Sequence, residues 1–318
     1  MRIGLLNNLR AGRSNPEVRR ILRLLDDYPD VAHVETTSVR SVPEALASLA
    51  RQDVELLVVN GGDGTLQYTL TQMLTTDDFP SIPMVAPLRG GRTNMTAMDL
   101  GAHRNPVRGL QQILKAADSG SLRERVVSRP IVRVASSGRE QVQYGMFFGA
   151  GIIHRAISLV HRIFPPGKSQ GAFGASVVTA ALIAKMVLHP TDGILTPDKA
   201  QIVIDRERAY SGEFYMLIAS SLQRLFSRLN PYWGQGPGGM RFTSLSSSAH
   251  HVGRAVAGVA RGKPRSWVTP EKGYVSANAE RVELRLDCGF TIDGEIFEPI
   301  PDEVVTLSAD RRVTFVRA

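Results

Sequence analysis

Ten consecutive residues, Leu56-Leu57-Val58-Val59-Asn60-Gly61-Gly62-Asp63-Gly64-Thr65, constrain this chain more than any other stretch. The apolar run has the length and bulk of a buried parallel strand. The glycines allow positive φ and close backbone approach. Leu66 to Leu74 then continues with apolar residues at helical spacing. Strand, glycine turn and helix N-terminus together make a site for phosphate, because unpaired N–H groups point outward there. Asp63 is the odd member: a carboxylate beside phosphates is repulsive unless a cation lies between, which suggests a metal–nucleotide complex. Neither G-x-x-x-x-G-K-[ST] nor G-x-G-x-x-G occurs at this turn. A tight turn with Asp63 capping the helix is the competing reading, and the turn alone leaves both open.

The rest of the first third alternates strand and helix. Arg2–Leu6 reads as a strand and Pro16–Leu25 as an amphipathic helix with Pro16 near its first turn. Ala32–Thr36 reads as a strand, and Val42–Ala50 as a helix that Ser41 could cap. Pro83–Pro87 is a short apolar strand leading into a second glycine turn, Arg89-Gly90-Gly91-Arg92-Thr93-Asn94, and a helix. This rhythm implies a parallel sheet covered by helices, with ligands beyond the carboxyl ends of the strands.

Near Arg125 the rhythm changes. Val126–Val134, Gln141–Phe148, Gln201–Ile204, Phe214–Ser220, Tyr274–Ala277, Val282–Leu286, Phe290–Asp293, Val304–Leu307 and Val313–Val316 are β-rich, which suggests a sandwich-like antiparallel domain. Helical stretches interrupt it at Gly151–Ile163, Gly171–Leu188 and His250–Arg261. Ala172–Leu188 is apolar on nearly all sides and reads as a buried helix, a shallow membrane-facing role being the alternative. Phe164-Pro165-Pro166-Gly167-Lys168 reads as a loop. The fold class expected is thus α/β plus β: an N-terminal parallel α/β nucleotide-binding domain over 1–124 and a β-rich, sandwich-like domain over 125–300. The strands of 301–318 are expected to return to the first domain.

Composition narrows the partners. The net charge of +8 fits nucleic acid, an anionic membrane surface or anionic substrates. The basic residues are dispersed and aromatics are only 6%, so nucleic acid is the least favoured of the three. The single cysteine, Cys288, excludes an internal disulfide framework and fits a reducing compartment. The apolar run at the N-terminus is short for a signal peptide, and no apolar run is long enough to span a bilayer. The histidines His154, His161, His189, His250 and His251 show no metal-ligand spacing.

Three further stretches make a constellation with Gly61–Thr65. Asn7-Asn8-Leu9-Arg10-Ala11-Gly12, Gly91-Arg92-Thr93-Asn94 and Asp293-Gly294-Glu295 together resemble the diacylglycerol-kinase catalytic-domain family of bacterial lipid kinases and sphingosine kinases, itself related to the NAD kinases. Looser similarity runs through Phe148-Gly149-Ala150-Gly151 and Asn230-Pro231-Tyr232-Trp233-Gly234. The resemblance implies an ATP- and Mg²⁺-dependent kinase acting on a lipid hydroxyl such as that of diacylglycerol. It assigns Gly61, Gly62, Gly64 and Thr65 to the ATP phosphates and Asp63 to Mg²⁺, directly or through water. Asn7, Gly91, Arg92, Thr93 and Asn94 are placed on the nucleotide side. Asp293 becomes the general base and Glu295 a metal-side or orienting carboxylate, while Gly294 lets the backbone pass close to the nucleotide. By itself Asp293-Gly294 reads as a hairpin turn.

The departures are specific. The first motif keeps the family's asparagine and glycine but loses the proline, and Arg92 replaces a threonine. The usual Asn-Asp pair is Asn94-Met95, and Met240–Ser247 lacks the carboxylate of an accessory metal site. These keep a non-catalytic nucleotide- or lipid-binding homologue in view. NAD kinase is a lesser alternative, since no Asn-Glu dipeptide occurs. The expected partners are a lipid substrate and a peripheral membrane surface, in the cytoplasm or at the inner membrane face, and no nucleic acid. A homodimer stays open.

Overall fold

The computed structural model describes residues 1–10, 15–163, 196–225 and 228–317. The expectations for Gly12, for the loop Phe164–Lys168 and for the helix Gly171–Leu188 lie outside them. The chain divides into two compact units, one holding Met1–Arg129 and the chain from Arg312 onward, the other holding the described residues of 130–311. The boundaries expected at 124 and 300 therefore fall at Arg129 and Arg311.

The first unit is a parallel sheet. β1 (Ile3–Asn8), β2 (Ala32–Thr36), β3 (Leu56–Gly61) and β4 (Met84–Arg89) lie in the order β4-β3-β1-β2. Phe315 adds a parallel pairing to Val85 on the far side of β4. Every residue of β3 is buried, as a central strand covered on both faces requires. The helices are α1 (Asn15–Leu25), α2 (Val42–Ala50), α3 (Asp63–Thr75), α4 (Met95–Asp99) and α5 (Pro106–Asp118). Leu5, Leu56, Val58 and Leu88 pack with Ile21 of α1 and with Leu110, Ile113 and Leu114 of α5. The alternate side chains of β1 point the other way, where a Cβ on Gly4 would stand 3.1 Å from Leu49 of α2.

The second unit is antiparallel. Its strands are β5 (Val126–Ser136), which crosses the unit boundary, β6 (Gln143–Gly145), β7 (Phe147–Gly151), β8 (Asp198–Ile204), β9 (Arg208–Ser220), β10 (Met240–Ser246), β11 (Tyr274–Ala279), β12 (Arg281–Leu286), β13 (Phe290–Ile292), β14 (Glu295–Phe297) and β15 (Val304–Val316). The long β9 organises them. Its first half pairs with β8, and its second half pairs with both β7 and β10. One core takes Val132, Phe148, Ile202, Leu217, Phe242, Ala277, Leu284 and Leu307 from different strands. The helices α6 (Ile152–Ile163) and α7 (Val252–Val259) complete the described elements. The α/β-plus-β class read from the sequence is the class observed.

Three local expectations change. Ser41 does not cap α2: its backbone is already helical and its hydroxyl donates to the Ser38 carbonyl at 2.9 Å. Val304–Leu307 and Val313–Val316 are the two ends of one strand, because the polar Ser308–Arg312 between them contains no glycine or proline to break it. Helix α5 falls outside the expectations altogether, although Asn105 caps it by accepting from the Arg108 N–H at 3.1 Å and Pro106 opens its first turn.

Cys288 is buried, and burial, assisted by the nearby Asp198 charge, pushes its thiol up to about 12. At neutral pH the thiolate that would attack a disulfide reagent is therefore nearly absent. The native protein is expected to leave a chromogenic thiol reagent unreacted and to release one equivalent of thiol after denaturation. Rapid reaction of the native protein would contradict this placement.

Candidate functional site

Parallel register brings the carboxyl ends of β1, β3 and β4 level. Asn7 lies opposite Asn60, and Gly61 opposite Arg89. The two glycine turns leave this edge side by side, and glycine is required because of that contact. A Cβ on Gly91 would lie 2.2 Å from the Gly62 Cα, and one on Gly90 would lie 2.4 Å from the Asn60 Oδ1. A Cβ on Gly61 would strike the Thr65 side chain at 2.6 Å. None of these glycines has positive φ, so close approach explains them and backbone handedness does not.

Asp63 bridges the same two turns. Its carboxylate oxygens accept the Met95 N–H at 2.9 Å and the Thr96 N–H at 3.1 Å, which caps the N-terminus of α4. Burial pushes its carboxyl above the ordinary range, and the N–H donors of Met95, Thr96 and Asn94 act against that. The capping reading of Asp63 is thus correct, but for the helix after the second turn, α4, and not for its own helix. Asn94 closes the second turn on itself: it accepts the Gly91 N–H and donates to the Gly91 carbonyl, both at 2.7 Å, from a left-handed backbone with φ of 52°. Arg92 and Thr93 are half-buried on that turn.

Asn7 lies beneath the turns. It is fully buried and accepts from Asn60 Nδ2 at 2.8 Å. Among the described residues, Asn7 Nδ2 and Asn60 Oδ1 find no partner. The Asn7–Asn60 bond ties β1 to β3 beneath the turns. The residue the sequence reading missed is Asn8, which lies four residues before Gly12, the spacing of the family's asparagine and glycine, with Leu9 in the place of the proline. Its Nδ2 donates to the Thr65 hydroxyl oxygen at 2.8 Å. The signal that could have found it was that spacing, which Asn7 does not have. Gly62 precedes α3 with extended backbone and has no side chain to cap it, so the first N–H groups of the helix, including those of Gly64 and Thr65, lack intrahelical acceptors. A small cavity of about 10 Å³ beside Gly61, Gly62, Asp63 and Asn94 has the volume of a single water.

In the second unit Asp293-Gly294 is a two-residue hairpin loop. Ile292 pairs with Glu295, and both loop residues have positive φ, 49° and 94°. Nothing lies within 4 Å of where a Gly294 Cβ would be. Glycine serves the turn there. Asp293 is buried, and its carboxylate oxygens accept the Met146 N–H at 2.8 Å and the Phe147 N–H at 2.9 Å. Gly145 makes this possible, since a Cβ on it would stand 2.7 Å from the same carboxylate. Glu295 is exposed. Among the described residues no group of three His, Cys, Asp or Glu side chains could hold a metal ion.

Strand, glycine turn, capped second turn and hydroxyl thus meet at one sheet edge. Residues 2–121 match the diacylglycerol kinase catalytic domain. The resemblance read from Gly61–Thr65 and Asn94 stands. No curated protein matches the chain significantly. Among solved structures, a diacylglycerol kinase from Bacillus anthracis str. Sterne aligns over 100% of this chain and 97% of its own, with 14% identity and a TM-score of 0.62. A further structure from that organism aligns over 100% and 96%, with 15% identity and a TM-score of 0.67. An NAD kinase from Archaeoglobus fulgidus in complex with ATP aligns over 99% and 93%, with 13% identity and a TM-score of 0.51. At these identities the structures show a shared fold. The family match lies in the part of the chain that carries both glycine turns.

Two variants test the geometry. Gly91→Ala forces a methyl into the Gly62 backbone and is expected to cost about 1–3 kcal/mol in urea unfolding. Asp293→Asn turns an acceptor into a donor facing the Met146 or Phe147 N–H and is expected to cost about 1–3 kcal/mol in the same measurement. Wild-type stability in either would refute the contact assigned to it.

Proposed function

We propose that the protein is an ATP-dependent lipid kinase that transfers the γ-phosphoryl group to a lipid hydroxyl, diacylglycerol-like in class. The observation that carries this reading is the diacylglycerol kinase catalytic domain over residues 2–121. The mutual arrangement of its two glycine turns supports it.

The chain's own residues divide the work. The free N–H groups at the start of α3 receive phosphate oxygens at a helix N-terminus. The Thr65 oxygen already accepts from Asn8, so its hydrogen is left to donate to a phosphate. Asp63 holds the second turn in place through Met95 and Thr96 and would be the carboxylate to face a phosphate-borne Mg²⁺. Arg92 and Thr93 border the same phosphates. ATP with Mg²⁺ supplies the transferable phosphoryl group and neutralises its charge. Of the two carboxylates in Asp293-Gly294-Glu295, Asp293 has both oxygens on main-chain donors, whereas Glu295 is exposed. Glu295 therefore takes the hydroxyl proton of the acceptor, and Asp293 positions the turn that carries it.

A second reading, nucleotide or lipid binding without turnover, is favoured by that same commitment of Asp63 and Asp293 to backbone donors. Labelled ATP incubated with extracted cellular lipids, with products identified by mass, separates the two. A labelled lipid should form with the wild-type protein, and Glu295→Gln should lower kcat about 100-fold or more while the KM for ATP changes little. Bound nucleotide with no labelled product would establish the second reading. Transfer to NAD instead would make the protein an NAD kinase.

A further inference from the structure

Both tryptophans of the chain, Trp233 and Trp267, are half-buried on one small apolar cluster built on Tyr215, Leu245, Ala255, Val268 and Tyr274. Helix α7 and the loops around it are tied into one layer over that cluster. The Asn230 N–H donates to the Ala260 carbonyl at 2.9 Å, the Lys263 N–H to the Gly258 carbonyl at 2.9 Å, and the Tyr274 hydroxyl to the His250 carbonyl at 2.7 Å. The charge of this layer is one-sided. Residues 228–272 hold seven of the 38 Lys and Arg residues and one of the 30 Asp and Glu residues, hence +6 of the net +8. Arg228, Arg254, Arg261, Lys263, Arg265 and Lys272 are all exposed, and none forms an ion pair among the described residues.

We propose that this layer is a docking surface for an anionic lipid bilayer. Exposed cations carried by helix α7 and the loops around it are attracted by the negative potential of anionic headgroups. Tryptophan, apolar in body with one polar N–H, favours the level of the headgroups. A nucleic acid would need ring faces free for stacking. Here Trp267 meets His251 edge-on at 5.9 Å and Tyr274 at 6.2 Å, so its ring is packed into the cluster. The inference rests on the lipid-kinase reading only in supposing that the acceptor sits in a membrane. The binding itself is measured without turnover.

The full chain is sedimented with phosphatidylcholine vesicles and with vesicles containing about one-third phosphatidylglycerol, at low and physiological salt. Binding is expected to the anionic vesicles and to weaken with salt. The combined variant Arg261→Ala, Lys263→Ala, Arg265→Ala should bind them about 100-fold more weakly, at about fivefold per charge. A melting curve shows that the variant is folded. If it is not, Arg254→Ala with Lys272→Ala replaces it, with about 25-fold weakening expected. Equal binding to neutral and anionic vesicles, or undiminished binding by a folded variant, overturns the proposal. So does binding of single-stranded DNA that the variant loses while vesicles are ignored. Phosphorylation of a detergent-dispersed lipid by the variant should equal that of the wild type. If neither protein has activity, the kinase reading fails while vesicle binding still decides the docking surface.

Discussion

Everything at the sheet edge of the first unit depends on two turns that touch through bare backbone. Gly91 lies against Gly62, and Gly90 lies against Asn60, with no room for a methyl group at either glycine of the second turn. Across that seam the Asp63 carboxylate takes the N–H groups of Met95 and Thr96. A close-packed seam with a charged cap is rigid, and rigidity is what a reaction made almost entirely of positioning needs. The pattern Gly-Gly-Asp therefore has a mechanical cause that precedes any ligand. The turn holds its neighbour first, and the helix N-terminus it leaves open is the part free to meet phosphate.

The second unit repeats the device. Asp293 spends both oxygens on two successive N–H groups, and Gly145 leaves the space for it to do so. Both aspartates that draw attention in the sequence are thus buried acceptors of main-chain donors. A buried carboxylate without such donors would be strongly unfavourable. This arrangement leaves Glu295 as the exposed carboxylate of the hairpin and makes both aspartates anchors of the backbone around them.

The fold was legible because each unit has its own period. The fully apolar Leu56–Val59 and the glycine turns pointed to a parallel sheet, and the run of short β-rich segments pointed to an antiparallel one. The proximity of Gly61–Thr65 to Gly91–Asn94 was legible too, since both turns follow parallel strands. What stayed hidden was the partner of each polar atom. Whether Asp63 faces a cation or two N–H groups depends on where α4 begins, a tertiary fact without a sequence period. Asn7 and Asn60 pair because parallel register sets them opposite each other, and register is not written in either strand alone. Helix α5 stayed hidden although Asn105 and Pro106 form a helix start signal. The continuity of β15 escaped because its polar middle resembles a turn.

The last strand has a consequence for how the molecule is made. The N-terminal unit receives Phe315, fully buried, beside Val85 of β4, and Val316 joins its core with Leu5 and Val58. During synthesis the first four strands and their helices emerge long before those residues exist. Until then β4 presents an open edge of unpaired N–H and C=O groups, the kind of edge that invites pairing with another chain. The unit that carries the glycine turns is thus the first to begin folding and among the last to finish, and in the interval its safety from aggregation depends on whatever shields that edge.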